Sequence, residues 1–170
     1  MARRTESGVL KLEAVSRHTG KRVLAWRGRT LYASERYHLL RCDPLEDPGR
    51  WHPVARFDSG RLRSLGSYSR LTQRLLRSGF HALEFLNSGR MVAVVAGAIV
   101  VADPGEAKFR ATFSIRRGTR PLTLAVTPDD KIYWGEYFGN PDRDELHIYG
   151  SSDQGESWDV VHTFSSGEVR

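Results

Sequence analysis

The sequence predicts an all-β fold: a β-propeller of three four-stranded antiparallel blades, half of a six-bladed ring, with one short helix between the first two blades. Three observations carry this. A pattern recurs, because Trp51, Val54, Phe57, Ser59 and Gly60 fall at offsets 0, 3, 6, 8 and 9, and Trp158, Val161, Phe164, Ser166 and Gly167 fall at the same offsets. A weaker copy, Phe109, Thr112, Ile115 and Gly118, lies between them, so the anchors are 58 and 49 residues apart, close to the length of one four-stranded blade. Each anchor also closes a series of short apolar segments divided by turn residues, as antiparallel strands are. A sandwich or barrel is the alternative architecture, but it gives no reason for a repeat of this kind.

Each blade builds in chain order. The segment before each anchor, His38–Cys42, Ala98–Ala102 or Leu146–Gly150, forms a hairpin with the anchor strand. Two further strands precede each hairpin: Arg22–Trp26 and Thr30–Ala33, His81–Leu86 and Met91–Gly97, Leu122–Thr127 and Lys131–Phe138. Asn87-Ser88-Gly89 and Pro128-Asp129-Asp130 supply turns between them, because these residue types bond to their own backbone or adopt positive φ. The blades therefore span about 22–58, 80–115 and 121–165 of a single partial propeller domain, 1–170. Tyr68, Leu71 and Leu75 are spaced as on one helix face, which places a helix over Ser67–Arg77 in the first connection.

Composition removes several classes. With 39% hydrophobic and 27% charged residues the chain is neither a disordered polar segment nor a membrane bundle. Its longest apolar run, Met91–Ala102, is twelve residues, short of the roughly 18 to 20 that cross a bilayer. The first residues lack an apolar signal segment, so the expected compartment is the cytoplasm. One cysteine, Cys42, makes neither an intrachain disulfide nor a zinc spacing, and no metal or other cofactor is expected. The formal charge of +6 is unevenly placed: residues 1–80 hold 17 basic against 7 acidic residues, and residues 81–170 hold 9 against 13. Of the 26 basic residues 22 are Arg, a skew that GC-rich coding produces unaided, so nucleic-acid binding is disfavoured.

The turn before the last anchor reads Ser151-Ser152-Asp153-Gln154-Gly155-Glu156-Ser157-Trp158. It matches the pattern Ser/Thr-x-Asp-x-Gly-x-x-Trp at every defined position. Its chemistry is local: a short carboxylate accepts bonds from the amides of its own turn, Gly155 tolerates φ > 0, and Trp158 buries a large ring. On these residues the chain resembles the Asp-box (BNR repeat) β-propeller superfamily, whose members include sialidases and related glycoside hydrolases. The segment from Tyr133 to Pro141 leading into the box is also similar to bacterial proteins described as glycosyl hydrolases. The resemblance covers about residues 22–167, with only the third blade specific; the first blade has a longer Pro-containing turn, Asp43–Arg50, and the second a remnant, Asp103-Pro104-Gly105. It implies that Ser151, Asp153, Gly155 and Trp158 are structural, on the face opposite any active site.

The opposite face then carries the chemistry. The loop Glu136–Glu145 holds Glu136, Tyr137, Asp142, Asp144 and Glu145, and the connection Ser114–Pro121 holds Arg116, Arg117 and Arg120. Paired carboxylates are what glycoside hydrolysis needs, and arginines are what an acidic sugar needs. Glu136 with Asp142 or Asp144 are thus the catalytic candidates, and Arg117, Arg120, Tyr137 and Glu145 the ligand-binding ones, with a carbohydrate or similar polar ligand. The same loop also reads as an ordinary solvated turn whose acids pair with Arg117 and Arg120. Asp142, Asp144 and Glu145 offer oxygen ligands to Ca²⁺ but lack the EF-hand pattern. His81 falls on an innermost strand, and His38 and His147 at equivalent repeat positions suit structural roles. The Arg-Ile-Pro motif of sialidases is missing, since Arg120-Pro121 does not supply it, and no Ser-His-Asp elbow, P-loop or dinucleotide fingerprint is present.

Three blades do not close a ring. Two expectations follow: an N-terminal three-blade portion whose C-terminal half completes the propeller, or a homodimer in which two halves do so. A non-catalytic binding or assembly platform, and a truncated non-functional half, are the alternatives to a glycosyl hydrolase.

Overall fold

A computed structural model describes residues 20–59, 79–118, 121 and 124–168. The expected helix over Ser67–Arg77 lies outside them, as do Gly60 and Arg120. The described residues hold twelve strands and no helix, arranged as three antiparallel four-stranded units in chain order. The first comprises β1 (Arg22–Arg27), β2 (Thr30–Glu35), β3 (His38–Cys42) and β4 (His52–Phe57). The second comprises β5 (Phe80–Phe85), β6 (Met91–Val95), β7 (Ala98–Ala102) and β8 (Lys108–Ser114). The third comprises β9 (Leu124–Val126), β10 (Ile132–Gly135), β11 (Leu146–Ser151) and β12 (Asp159–Phe164).

The units differ from three separate blades in one respect. The outermost strands β4 and β8 pair in parallel at Arg56 with Lys108 and Phe57 with Phe109, which joins the first two units into one eight-stranded sheet. The joint is short: the Arg56 amide donates to the Ala107 carbonyl, and the Phe57 amide turns back to Tyr37 in its own unit. The third unit remains a separate four-stranded sheet, β12-β11-β10-β9.

The repeat has a structural meaning. In each unit the residue three positions after the anchor is a bulge in the outermost strand: Val54 opposite Leu39 and Leu40, Thr112 opposite Ile99 and Val100, Val161 opposite Ile148 and Tyr149. A bulge sharpens local twist and interrupts an otherwise pairable edge, so each unit curls in the same way and stacks on its neighbour.

Stacking buries two layers. Between the first and second units lie Tyr37, Leu39, Phe80, Leu83, Ala93, Val95, Val100 and Phe109; between the second and third lie Leu86, Val92, Val94, Ile99, Val101, Ile132 and Trp134. Strands β6 and β7 are buried at every residue, because the alternate residues of both strands face one layer or the other. Their continuous apolar sequence, Met91–Ala102, is the signature of a sheet covered on both sides. The strands at the two ends of the stack, β1 and β12, are mostly exposed. No helix of the described residues is long and apolar enough to cross a membrane.

Candidate functional site

The two ends of the seam between the second and third units are chemically different. At one end lies the turn Ser151–Trp158, held by its own side chains. The Asp153 carboxylate accepts from the Ser151 hydroxyl at 2.8 Å, the Glu156 amide at 3.1 Å and the Ser157 amide at 3.0 Å, while the Gly155 amide donates to Ser151 Oγ at 2.9 Å. Burial pushes the Asp153 carboxyl up, but the donors of Ser157, Ser151 and Glu156 outweigh it and hold it at about 2. Gly155 has φ +85°, and a Cβ there would lie 3.1 Å from Val101 Cγ1 of the second unit. The turn is thus wedged into the seam. Trp158 donates from Nε1 to Thr112 Oγ1, the bulge residue of the second unit, at 3.4 Å.

Ionic and turn contacts extend the stitching. Arg90 bridges Asp103 at 2.6 Å and Glu156 at 2.7 Å, and Arg110 also bonds Glu156. The Arg110 and Arg90 guanidinium donors hold the Glu156 carboxyl down at about 2. The Asn87 amide donates to Asp130 Oδ1 at 2.8 Å, and its side-chain amide donates to the Pro128 carbonyl at 2.9 Å, so the two short turns read from the sequence bond to one another. Every one of these interactions is structural in its geometry: the donors and acceptors are spent on the seam.

At the other end the seam opens into a cleft of about 720 Å³. Trp134 and Glu136 alternate toward it on and beyond β10, and His147 and Tyr149 do so on β11. The second unit contributes Thr112, Phe113 and Ser114 from β8, then Arg116 and Arg117. Trp134 stacks on Tyr149 with centroids 4.5 Å apart and planes 12° apart, and Phe113 meets both rings at 5.3 and 5.0 Å. Burial, followed by the Glu136 charge, raises the Tyr149 phenol, against smaller opposing effects of Arg117 and Arg116. The Trp134 indole N–H is buried with no acceptor among the described residues.

The sequence-predicted residues divide within this site. Glu136 is held fast. Its side chain is 5% exposed and accepts from Arg117 Nε at 3.1 Å, Arg117 Nη2 at 2.6 Å and the His147 amide at 3.0 Å. The Arg117 guanidinium lies over the Phe138 ring, 4.9 Å from its centroid. Gly118 follows with φ +79°, and a Cβ there would collide with the Tyr137 carbonyl oxygen, so the connection after β8 is pressed onto the loop after β10. Asp144 and Glu145 line the cleft without an ion-pair partner among the described residues, and so does Arg116. Asn140 shapes their loop, its side chain accepting from the Asp144 amide and donating to the Asp144 carbonyl, both at 2.8 Å. Tyr137 and Asp142 are exposed and stand outside the cleft wall. The described residues contain no group of His, Cys, Asp and Glu that would hold a metal ion.

The aromatic wall was not singled out from the sequence. Alternation of Trp134 with Glu136 and of His147 with Tyr149 was the available signal, but alternation alone does not say which sheet face meets a neighbour.

Two-sided burial of the central sheet and the serial stacking of four-stranded units define a β-propeller-like all-β protein. Among solved structures, a chain of the nidogen/laminin complex is similar over 79% of this chain and 44% of that one, with 15% identity and a TM-score of 0.51. The chain therefore spans less than half the length of that neighbour. A chain of a S. cerevisiae assembly of dbp5 with nup159, gle1, ip6 and adp matches over 82% of this chain and 29% of that one, with 12% identity and a TM-score of 0.42. The first likeness supports a propeller-like fold. No protein-family model matches the sequence, and no curated protein does.

Proposed function

We propose that the protein is an Asp-box propeller of the sialidase and glycosyl-hydrolase type that binds a carbohydrate, or a polar ligand of like chemistry, in the cleft between its second and third units. The observation that carries this reading is the lining of the cleft: the half-buried rings of Tyr149 and Phe113, backed by the buried Trp134, beside Arg116, Asp144 and Glu145, which have no ion-pair partner among the described residues. Aromatic rings complement the apolar faces of sugar rings, while carboxylates and guanidinium groups bond their hydroxyls. Support for the Asp-box assignment comes from the Ser151–Trp158 turn, in which every defined position of the pattern performs a local bond or packs into the seam.

Binding is favoured over hydrolysis. A carboxylate whose oxygens accept three hydrogen bonds, two from an arginine, is a hindered nucleophile, which removes Glu136 from the front of the catalytic candidates. If hydrolysis occurs, Asp144 and Glu145 are the carboxylates placed to carry it. The test is tryptophan fluorescence and saturation-transfer NMR with neutral, amino and acidic sugars. A saturable response that Tyr149→Ala reduces at least tenfold is expected. Absence of any response across the panel at millimolar sugar would overturn the proposal, and protein capture through the same face, centred on the exposed Tyr137, would then be the reading to pursue.

A further inference from the structure

The cleft between the second and third units has walls of unlike charge. Arg116, on the connection after β8, belongs to one wall, and Asp144 and Glu145, just before β11, belong to the other. None of the three side chains makes an ion pair or a hydrogen bond among the described residues, although all line one cavity. The other ionisable groups of the lining are spent on the fold: Glu136 takes Arg117 at 2.6 Å, and the His147 ring bonds the Thr163 hydroxyl at 3.1 Å. Two carboxylates against one guanidinium are therefore left to meet an occupant.

The carboxylates stand on a loop that is held in place. The Asn140 side chain bonds both the amide and the carbonyl of Asp144, and Arg143 between them has φ +56° or less, at +55°. At the base of the loop the Glu136 amide donates to the His147 carbonyl at 3.0 Å. A carboxylate pair positioned in this way gives up little backbone freedom when it binds a cation. The rings of Tyr149 and Phe113 in the same lining act in the same sense, because aromatic faces attract cations. Behind them the Trp134 indole N–H is buried without an acceptor among the described residues. A buried donor is seldom left so, and Trp134 is itself part of the lining, so the cleft also holds a donor that the fold does not use.

We infer that the ligand of this cleft is an amino sugar with a free, protonated amine, its ammonium group bound by Asp144 and Glu145 and its hydroxyls directed to Arg116. The inference rests on the reading of the cleft as a carbohydrate site and narrows that reading to a cationic sugar. An ammonium group carries three donors and no acceptor, which suits two neighbouring carboxylates. An N-acetyl group removes the charge, and a uronic acid sets its carboxylate against the more numerous charges of its own sign. Arg116 on the far wall keeps its donors for hydroxyl oxygens.

The experiment is a set of dissociation constants for the full chain, by saturation-transfer NMR and calorimetry, with the methyl glycosides of glucosamine, N-acetylglucosamine, glucose and glucuronic acid at a pH that keeps the amine protonated. The amine should bind about fivefold more tightly than its N-acetyl form at low salt, the effect of two exposed charge pairs, and added salt should narrow the gap. The double substitution Asp144→Asn with Glu145→Gln, at exposed positions, should make the two affinities equal. An amine that binds no more tightly than the neutral sugars overturns the inference, as does tightest binding of the glucuronide or a preference that survives the double substitution. In each of those cases a sugar still binds and the carbohydrate reading stands, whereas silence of all four sugars removes both. Circular dichroism of the double variant checks that its sheets are retained, and the ranking given by the unsubstituted chain by itself suffices to refute the proposal.

Discussion

Replacing Glu136 by Gln separates a structural from a catalytic carboxylate. The side chain is 5% exposed and bonds Arg117 twice and the His147 amide once, whereas Arg117 is 34% exposed. Breaking a fully buried ion pair costs about 3–5 kcal/mol. Here Gln keeps one carbonyl acceptor and the half-open guanidinium regains water, which lowers the expected cost to about 2 kcal/mol. For a chain of this length that is a fall in Tm of about 4–8 °C. Thermal and urea unfolding followed by circular dichroism measure it, and a double-mutant cycle with Arg117→Met should return a coupling of about 1–2 kcal/mol. A Tm within about 1 °C of the parent, or additive single effects, would refute the argument that this carboxylate is spent on the fold.

The seam at the Asp-box end gives further outcomes. Asp153→Asn should expose the Glu156 and Ser157 amides to rapid hydrogen exchange at a cost of about 1–2 kcal/mol, and unchanged protection would contradict the turn geometry. Gly155→Val should destabilise by about 2–4 kcal/mol, since it adds bulk 3.1 Å from Val101 at a positive φ, with urea midpoints as the measure. Acid should loosen the seam. Asp153 and Glu156 have folded pKa values of about 2, below their ordinary 3.8 and 4.5, so their contribution is complete above about pH 5 and fades as pH falls through 4.5 toward 2. Glu156→Gln should flatten the acid limb of a Tm-against-pH curve, and a limb of unaltered slope would count against it.

Much of the fold was legible because period-2 alternation, turn residues and a repeated anchor are local quantities. The strands ending in Cys42, Ala102 and Ser151, each the first arm of a hairpin with the anchor strand, follow from apolar runs bounded by turn formers. The turns at Asn87 and Pro128 follow from residue types with one dominant conformational use. The candidate loop was legible as charge, and Glu136, Asp144, Glu145 and Arg117 do meet in one cleft. Their division of labour was not. That Arg117 takes Glu136, while Asp144 and Glu145 line the cleft with no ion pair among the described residues, depends on how the connection after β8 is pressed onto the loop after β10.

The strands and the chemistry of the Ser151–Trp158 turn are fixed locally, since each depends on residues within a few positions of one another. Only the packing of sheets makes Val54, Thr112 and Val161 bulges, joins two units through β4 and β8, and buries Trp134 in the seam while Tyr149, stacked on it, lines the cleft. The physical reason is that alternation gives a strand two faces without ranking them. Which face is buried is settled only when a second sheet arrives to cover it.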